Sequence, residues 1–146
     1  MPNDSISGGP DNEARELLNE RIPASANAVA DLSDKVAAIL LGLGIPEEKQ
    51  LDIGLALQEA LANAVLHGCG NDSSKNVHCR VESDGAGRIL IIVSDPGPGH
   101  DMSALPDPML NPNLYRDHGR GIYLIRQLMD DVQFERGGSE IRMWKY

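Results

Sequence analysis

The chain has 146 residues, and 13 basic against 22 acidic residues leave a formal charge of −9. That length suits one domain with one core, and an apolar fraction of 41% with 24% charged residues excludes wholesale disorder. The acidity excludes a protein that coats nucleic acid or anionic membrane, but not a small polyanion site, which needs only local positive potential.

Residues 1–14 begin small, polar and punctuated by Gly and Pro, which reads as a mobile tail ahead of one domain over 15–146. Leu17, Leu18 and Arg21 lie on a short candidate edge strand that stops at Pro23. Ser25 or Asn27 caps a helix whose apolar positions Val29, Leu32, Val36, Ile39 and Leu40 run to Gly42 and Gly44. Pro46-Glu47-Glu48 opens a second helix, with proline in its first turn and acids at its positive dipole end. Its expected apolar stripe comprises Leu51, Ile53, Leu55, Leu57, Leu61, Ala64 and Val65, and Gly68 and Gly70 stop it.

The period then changes to two: Val77, Cys79 and Val81 alternate with His78, Arg80 and Glu82. A turn at Asp84-Gly85-Ala86-Gly87 leads into Ile89-Leu90-Ile91-Ile92-Val93, a run suited to a central strand. Five prolines between Asp95 and His118 mark a long loop, the length at which loops are functional or disordered. A third helix is expected from Gly121 to about Asp131, followed by a hairpin of Val132 to Arg136 and Glu140 to Lys145 about Gly137-Gly138. This order predicts an α+β fold, a two-layer sandwich with helices on one face of the sheet.

The apolar stretches, Ala37 to Leu43 and Ile89 to Val93, fall far short of a membrane span, and no basic leader precedes them, so the expected address is cytoplasmic. In that compartment Cys69 and Cys79 are expected as free thiols. With His67 and His78 they offer four potential zinc ligands, but without the Cys-x-x-Cys pairing of structural zinc sites.

Three constellations carry chemistry. Glu59, Asn63 and His67 recur at four-residue spacing along one helix stripe, grouping a carboxylate, an amide and an imidazole. Solvation alone explains many such stripes, but these groups can activate a hydroxyl and ligate magnesium, which keeps water and phosphate as most of its ligands. Asp95-Pro-Gly97-Pro-Gly99 follows the most hydrophobic strand. As a plain turn it needs no function. As a site, its carboxylate accepts a hydrogen bond from the adenine amine and disfavours guanine, while the glycines admit a flat base. His118-Gly119-Arg120-Gly121-Ile122 opens a helix, where free backbone amides and a guanidinium suit a triphosphate. It is neither a P-loop, for want of Gly-Lys-Ser/Thr, nor a Rossmann fingerprint, since it follows a loop.

Together these motifs resemble the GHKL (Bergerat-fold) ATPases. Glu59-Ala-Leu-Ala-Asn63-Ala-Val-Leu-His67-Gly68 is similar to their N-box, Asp95-Pro-Gly-Pro-Gly99 to the first glycine box and Gly119-Arg-Gly121-Ile-Tyr-Leu-Ile125 to the second. Gly138-Ser139-Glu140-Ile141-Arg142-Met143-Trp144-Lys145 resembles the last strand of that domain, with Ser139 where threonine is common. Within the superfamily the chain looks most like the bacterial anti-sigma-factor serine/threonine kinases, from about Arg21 onward. The resemblance implies the histidine-kinase-like ATPase fold, with a mixed, mostly antiparallel sheet. It implies ATP and Mg2+ as cofactors, Asn63 as the magnesium ligand, Glu59 as the general base and His67 in support. Asp95, Gly97 and Gly99 would hold adenine. Gly119, Arg120, Gly121 and Ile122 would meet the phosphates under a lid of about residues 100–118, and Ser139 would line the same site.

The implied activity is protein serine/threonine kinase. The acceptor would be a serine or threonine of an anti-anti-sigma partner, and its phosphorylation would free the chain to hold a sigma factor, in a homodimer joined through the first strand or helix. Two other readings stand beside it: an ATP-gated protein-binding regulator with little or no kinase activity, and a regulatory or sensor-kinase-type ATPase domain. Leu66 stands where histidine kinases often carry lysine. Only the segment from Gly119 to the C-terminus is net positive, which confines the expected phosphate contacts to backbone amides, magnesium and Arg120.

Overall fold

In the computed structural model, which describes residues 15–97 and 119–146, apolar periodicity translates into five strands and three helices. Strand β1 (Arg15–Pro23) precedes helices α1 (Ala26–Gly42) and α2 (Glu47–Asn63). Strands β2 (Asn76–Ser83) and β3 (Ile89–Ser94) follow, then α3 (Gly119–Leu128) and the hairpin of β4 (Asp131–Glu135) and β5 (Glu140–Lys145). The expected tail over 1–14 and lid over 100–118 lie outside the described residues.

Ser25 caps α1: its hydroxyl accepts the Ala28 N–H at 3.3 Å, satisfying one of the helix's open donors. Leu32, Val36 and Leu40 then repeat every four residues and are buried. Gly44, at φ +73, ends the helix where a β-carbon would be strained. In α2 the buried arc is Ile53, Ala56, Leu57, Ala60 and Leu61. Leu51 and Leu55, expected on that stripe, are 63% and 40% exposed, because they lie on the outer flank of this arc. The helix does not continue as α to its glycine stop. At Ala64–Gly68 it widens into a π turn, closed by a Cys69 N–H to Ala64 O bond of 2.8 Å.

The sheet order is β1-β2-β3-β5-β4, and all four pairings are antiparallel, where a mixed, mostly antiparallel sheet was expected. The reason is topological. The chain leaves β3, crosses through α3 and returns as β4 one place too far to pair with β3, and β5 fills the gap antiparallel to both. Helix α3 runs over Gly119–Leu128, not from Gly121 to about Asp131, since Asp131 already pairs with Trp144.

One face of the sheet (Ile22, Val77, Cys79, Val81, Ile89, Ile91, Val93, Ile141 and Met143) packs on the helices to form the core. The opposite face carries the cross-strand row Arg21, His78, Ser94, Glu140 and Glu135 and the row Asn19, Arg80, Ile92, Arg142 and Gln133. Two layers result, with the helices on one side. No helix among the described residues is long and apolar enough to cross a membrane.

Candidate nucleotide site

The site forms where three chain segments meet at one end of the helix layer. The first is the end of α2 with its π turn. The second is the turn after β3, where Asp95 breaks the apolar run. Its main-chain N–H donates to Ser139 O at 2.9 Å, tying the turn to the start of β5, and its carboxylate accepts the Gly97 N–H at 2.8 Å. The third is the first turn of α3.

These segments approach so closely that side chains are excluded at Gly68 and Gly97 and crowded at Gly121. A β-carbon on Gly68 would lie 2.1 Å from Cγ and 2.4 Å from each carboxylate oxygen of Asp95. One on Gly97 would lie 2.7 Å from Gly68 O and 2.9 Å from Asp95 Oδ1. One on Gly121 would meet Glu59 Oε1 at 3.0 Å and the Asn63 amide at 3.3 and 3.6 Å. The Asp95 carboxylate therefore rests against the π turn that ends the N-box. The Glu59 and Asn63 side chains converge on the start of α3, as their four-residue spacing allows.

Glu59 and Asn63 are both half-buried, and Glu59 carries no ion pair among the described residues. Their oxygens are hard donors beside the helix N-terminus, and such donors fit magnesium bound chiefly by water and phosphate. His67 lies within the π turn, half-buried. Gly119 and Arg120 belong to the first turn of α3, Gly121 and Ile122 are buried behind it, and Gly99 lies outside the described residues.

Ser139 is buried, but its hydroxyl is spent within the β4–β5 turn, donating to Arg136 O at 3.0 Å. It bears on the site through its carbonyl, which holds Asp95.

Two contributors escaped the sequence reading as site residues. Gly68 reads as a helix stop, yet its missing side chain makes room for Asp95. Arg136 reads as the last residue of a strand, yet it sits in the turn at φ +52 and donates from Nη2 to Asp95 O at 3.2 Å. Only the long-range fold reveals either contact. Cys69 and Cys79 are both free and buried, and burial raises both thiol pKa values, that of Cys79 to about 12. Among the described residues no group of three His, Cys, Asp or Glu side chains converges to hold a metal.

A family model described as histidine kinase-like ATPase domain matches residues 22–145. The chain belongs to this family. It is GHKL-type, and its relatives include serine-protein kinases RsbW of Staphylococcus aureus. Those of strains MSSA476 and JH9 are each 28% identical over 141 residues, covering 90% of this chain and 87% of theirs. Among solved structures, the SiaB-SiaC complex from Pseudomonas aeruginosa aligns with a TM-score of 0.64 at 11% identity, over 90% of this chain and 89% of that one. The RsbU and RsbW domains of Rv1364c from Mycobacterium tuberculosis align with a TM-score of 0.61 at 19% identity, over 88% of this chain and 31% of that one. These structures share the fold of this histidine kinase-like ATPase domain.

Proposed function

We propose that the protein is a cytoplasmic anti-sigma serine/threonine kinase, which binds ATP with Mg2+ and phosphorylates an anti-anti-sigma partner. The observation that carries this reading is the convergence of Glu59 and Asn63 on Gly121, which sets a carboxylate and an amide beside the helix N-terminus where phosphates bind. Relatives named serine-protein kinases support the reaction class.

Asp95 accepts the exocyclic amine of adenine, with Gly97 and Gly99 leaving room for the base and Ser139 and Arg136 holding the Asp95 main chain. The backbone amides of Gly119, Arg120, Gly121 and Ile122 and the charge of Arg120 receive the triphosphate. Asn63 supplies its amide oxygen to magnesium, and His67 supports the N-box. Bound magnesium neutralises phosphate charge and lines up the transferring group.

Glu59 takes the proton from the partner's serine or threonine hydroxyl. The hydroxyl oxygen forms a bond to the γ-phosphorus as the bond to the bridging β–γ oxygen breaks, and ADP leaves with that electron pair. The phosphorylated partner dissociates, and the freed chain, as a homodimer, holds a sigma factor.

Incubation with magnesium and γ-labelled ATP or GTP, in the presence of a small serine-bearing anti-anti-sigma protein, tests the reading. Label passes to the partner from ATP, and Glu59→Ala stops transfer while leaving ATP bound. Equal binding of GTP, or undiminished transfer by the variant, rejects the assignment.

A further inference from the structure

In a chain of −9, basic side chains gather at one place beside the open face of the sheet. Strand pairing sets Arg21, His78 and Ser94 side by side on that face. Together with Lys75 and Arg136 they line a pocket of about 510 Å³ behind the Asp95 turn. Asn76, Asp95 and Pro96 complete its lining. Arg21, His78 and Ser94 belong to the side of the sheet away from the helices, whereas the Asp95 carboxylate rests against Gly68.

Most of the bases elsewhere on this sheet are matched. Arg80 pairs with Glu16 and Glu82, Arg88 with Asp84, Arg142 with Glu140 and Lys145 with Asp52. Among the described residues Arg21, Lys75 and Arg136 form no salt bridge, though Arg136 acts through space on Glu140 and Lys75 on Asp72. The nearby acids are engaged: Glu140 binds Arg142 and the Ser94 hydroxyl, each at 3.0 Å, and Asp72 is held by Ser74. Arg136 occupies its place from φ +52, a backbone conformation that costs an L-residue free energy and that glycine would adopt freely. Two guanidinium groups and an ammonium around one opening are suited to a compact anion of charge near −2.

We propose that this pocket is a second ligand site, taking a phosphate dianion either free or as a phosphate monoester. His78 is its reporter. Burial, Arg21 and Arg80 hold the imidazole pKa below its ordinary value, against the opposing influence of Glu140 and Glu16. The ring is therefore mainly neutral at pH 7, and a bound dianion favours its protonation. Arg136 holds the Asp95 carbonyl and Asp95 itself lines the pocket, so the pocket adjoins the nucleotide site across the Asp95 turn.

The test is proton NMR of the His78 ring in the full chain, assigned with His78→Gln. The pH titration is run in sodium phosphate, O-phosphoserine or sodium acetate, each against sodium chloride of equal ionic strength. Phosphate is expected to raise the His78 midpoint by about half a pH unit beyond chloride, and Arg21→Ala/Lys75→Ala, both at exposed positions, to remove that excess. An equal rise with O-phosphoserine supports the monoester as ligand, and a rise with phosphate alone supports the free ion. A rise no larger than in chloride, an equal rise with acetate, or one that persists in the double variant overturns the proposal.

Discussion

Gly68 and Asp95 occupy one another's space: the carboxylate carbon of Asp95 lies 2.1 Å from where a β-carbon on Gly68 would stand. A residue on the π turn after α2 thereby determines where the acid after β3 can sit. The main chain of the acid is held by the Ser139 carbonyl, which accepts its N–H, and by the Arg136 guanidinium, which donates to its carbonyl.

Gly68→Ala is therefore expected to displace Asp95 rather than to be absorbed locally. Overpacking of this kind costs about 1–3 kcal/mol of stability, measurable by urea denaturation. ATP affinity, measured by calorimetry, should fall at least about tenfold through loss of a positioned charge-assisted hydrogen bond. A folded Gly68→Ala protein with undiminished ATP affinity would remove Asp95 from the base site.

Gly121→Ala separates stability from chemistry. The added methyl group meets the far end of the flexible Glu59 side chain at 3.0 Å, so the fold tolerates it. Alanine in place of glycine within a helix contributes up to about 1 kcal/mol. Moving the Glu59 carboxylate should lower kcat about ten- to a hundredfold with a smaller change in KM for ATP. Unfolding curves together with steady-state phosphotransfer check both halves.

Lys145 joins three elements. Its ammonium lies 3.0 Å from Asp52 on α2 and donates to Leu128 O, the last carbonyl of α3, at 2.6 Å, with only 13% of the side chain exposed. Lys145→Met fills the same space but leaves that carbonyl without its donor, at an expected cost of about 1–3 kcal/mol. Asp52→Asn keeps the carbonyl bond and should cost less than about 1 kcal/mol. The order of the two denaturation midpoints is the observable.

Cys79 gives the fold an alkaline dependence. Its thiol, fully buried in β2, has a pKa raised by burial and then by Glu20 from the ordinary 9.0 to about 12. Above pH 9 the unfolded chain ionises this thiol while the folded protein keeps the proton. Stability is thus lost as pH rises from 9 towards 12, by up to about 1.4 kcal/mol per pH unit from this group. Urea titrations at pH 8 and pH 10 should show a steeper decline in the native protein than in Cys79→Ala, and parallel declines would contradict it.

What the amino-acid sequence determined on its own is local. Ser25 before an apolar four-residue repeat specifies the α1 cap, Pro46-Glu47-Glu48 the start of α2, and the alternation about Val77, Cys79 and Val81 a half-buried strand. Each signal lies within a few residues of the element it shapes. The spacing of Glu59 and Asn63 likewise places both on one helix stripe, and the order of the motifs identified the family.

The tertiary structure decided which side of each element meets which neighbour. It turned Leu51 and Leu55 outward, inserted β5 between β3 and β4, seated Asp95 on Gly68 and brought Gly121 against Glu59. It also set Arg136 at once behind Asp95 and over an open basic pocket. These relationships join residues far apart in the chain, and they depend on main chains approaching within van der Waals contact. Neither periodicity nor capping encodes that approach, because both act over a helical turn or a strand, whereas the site is made between layers.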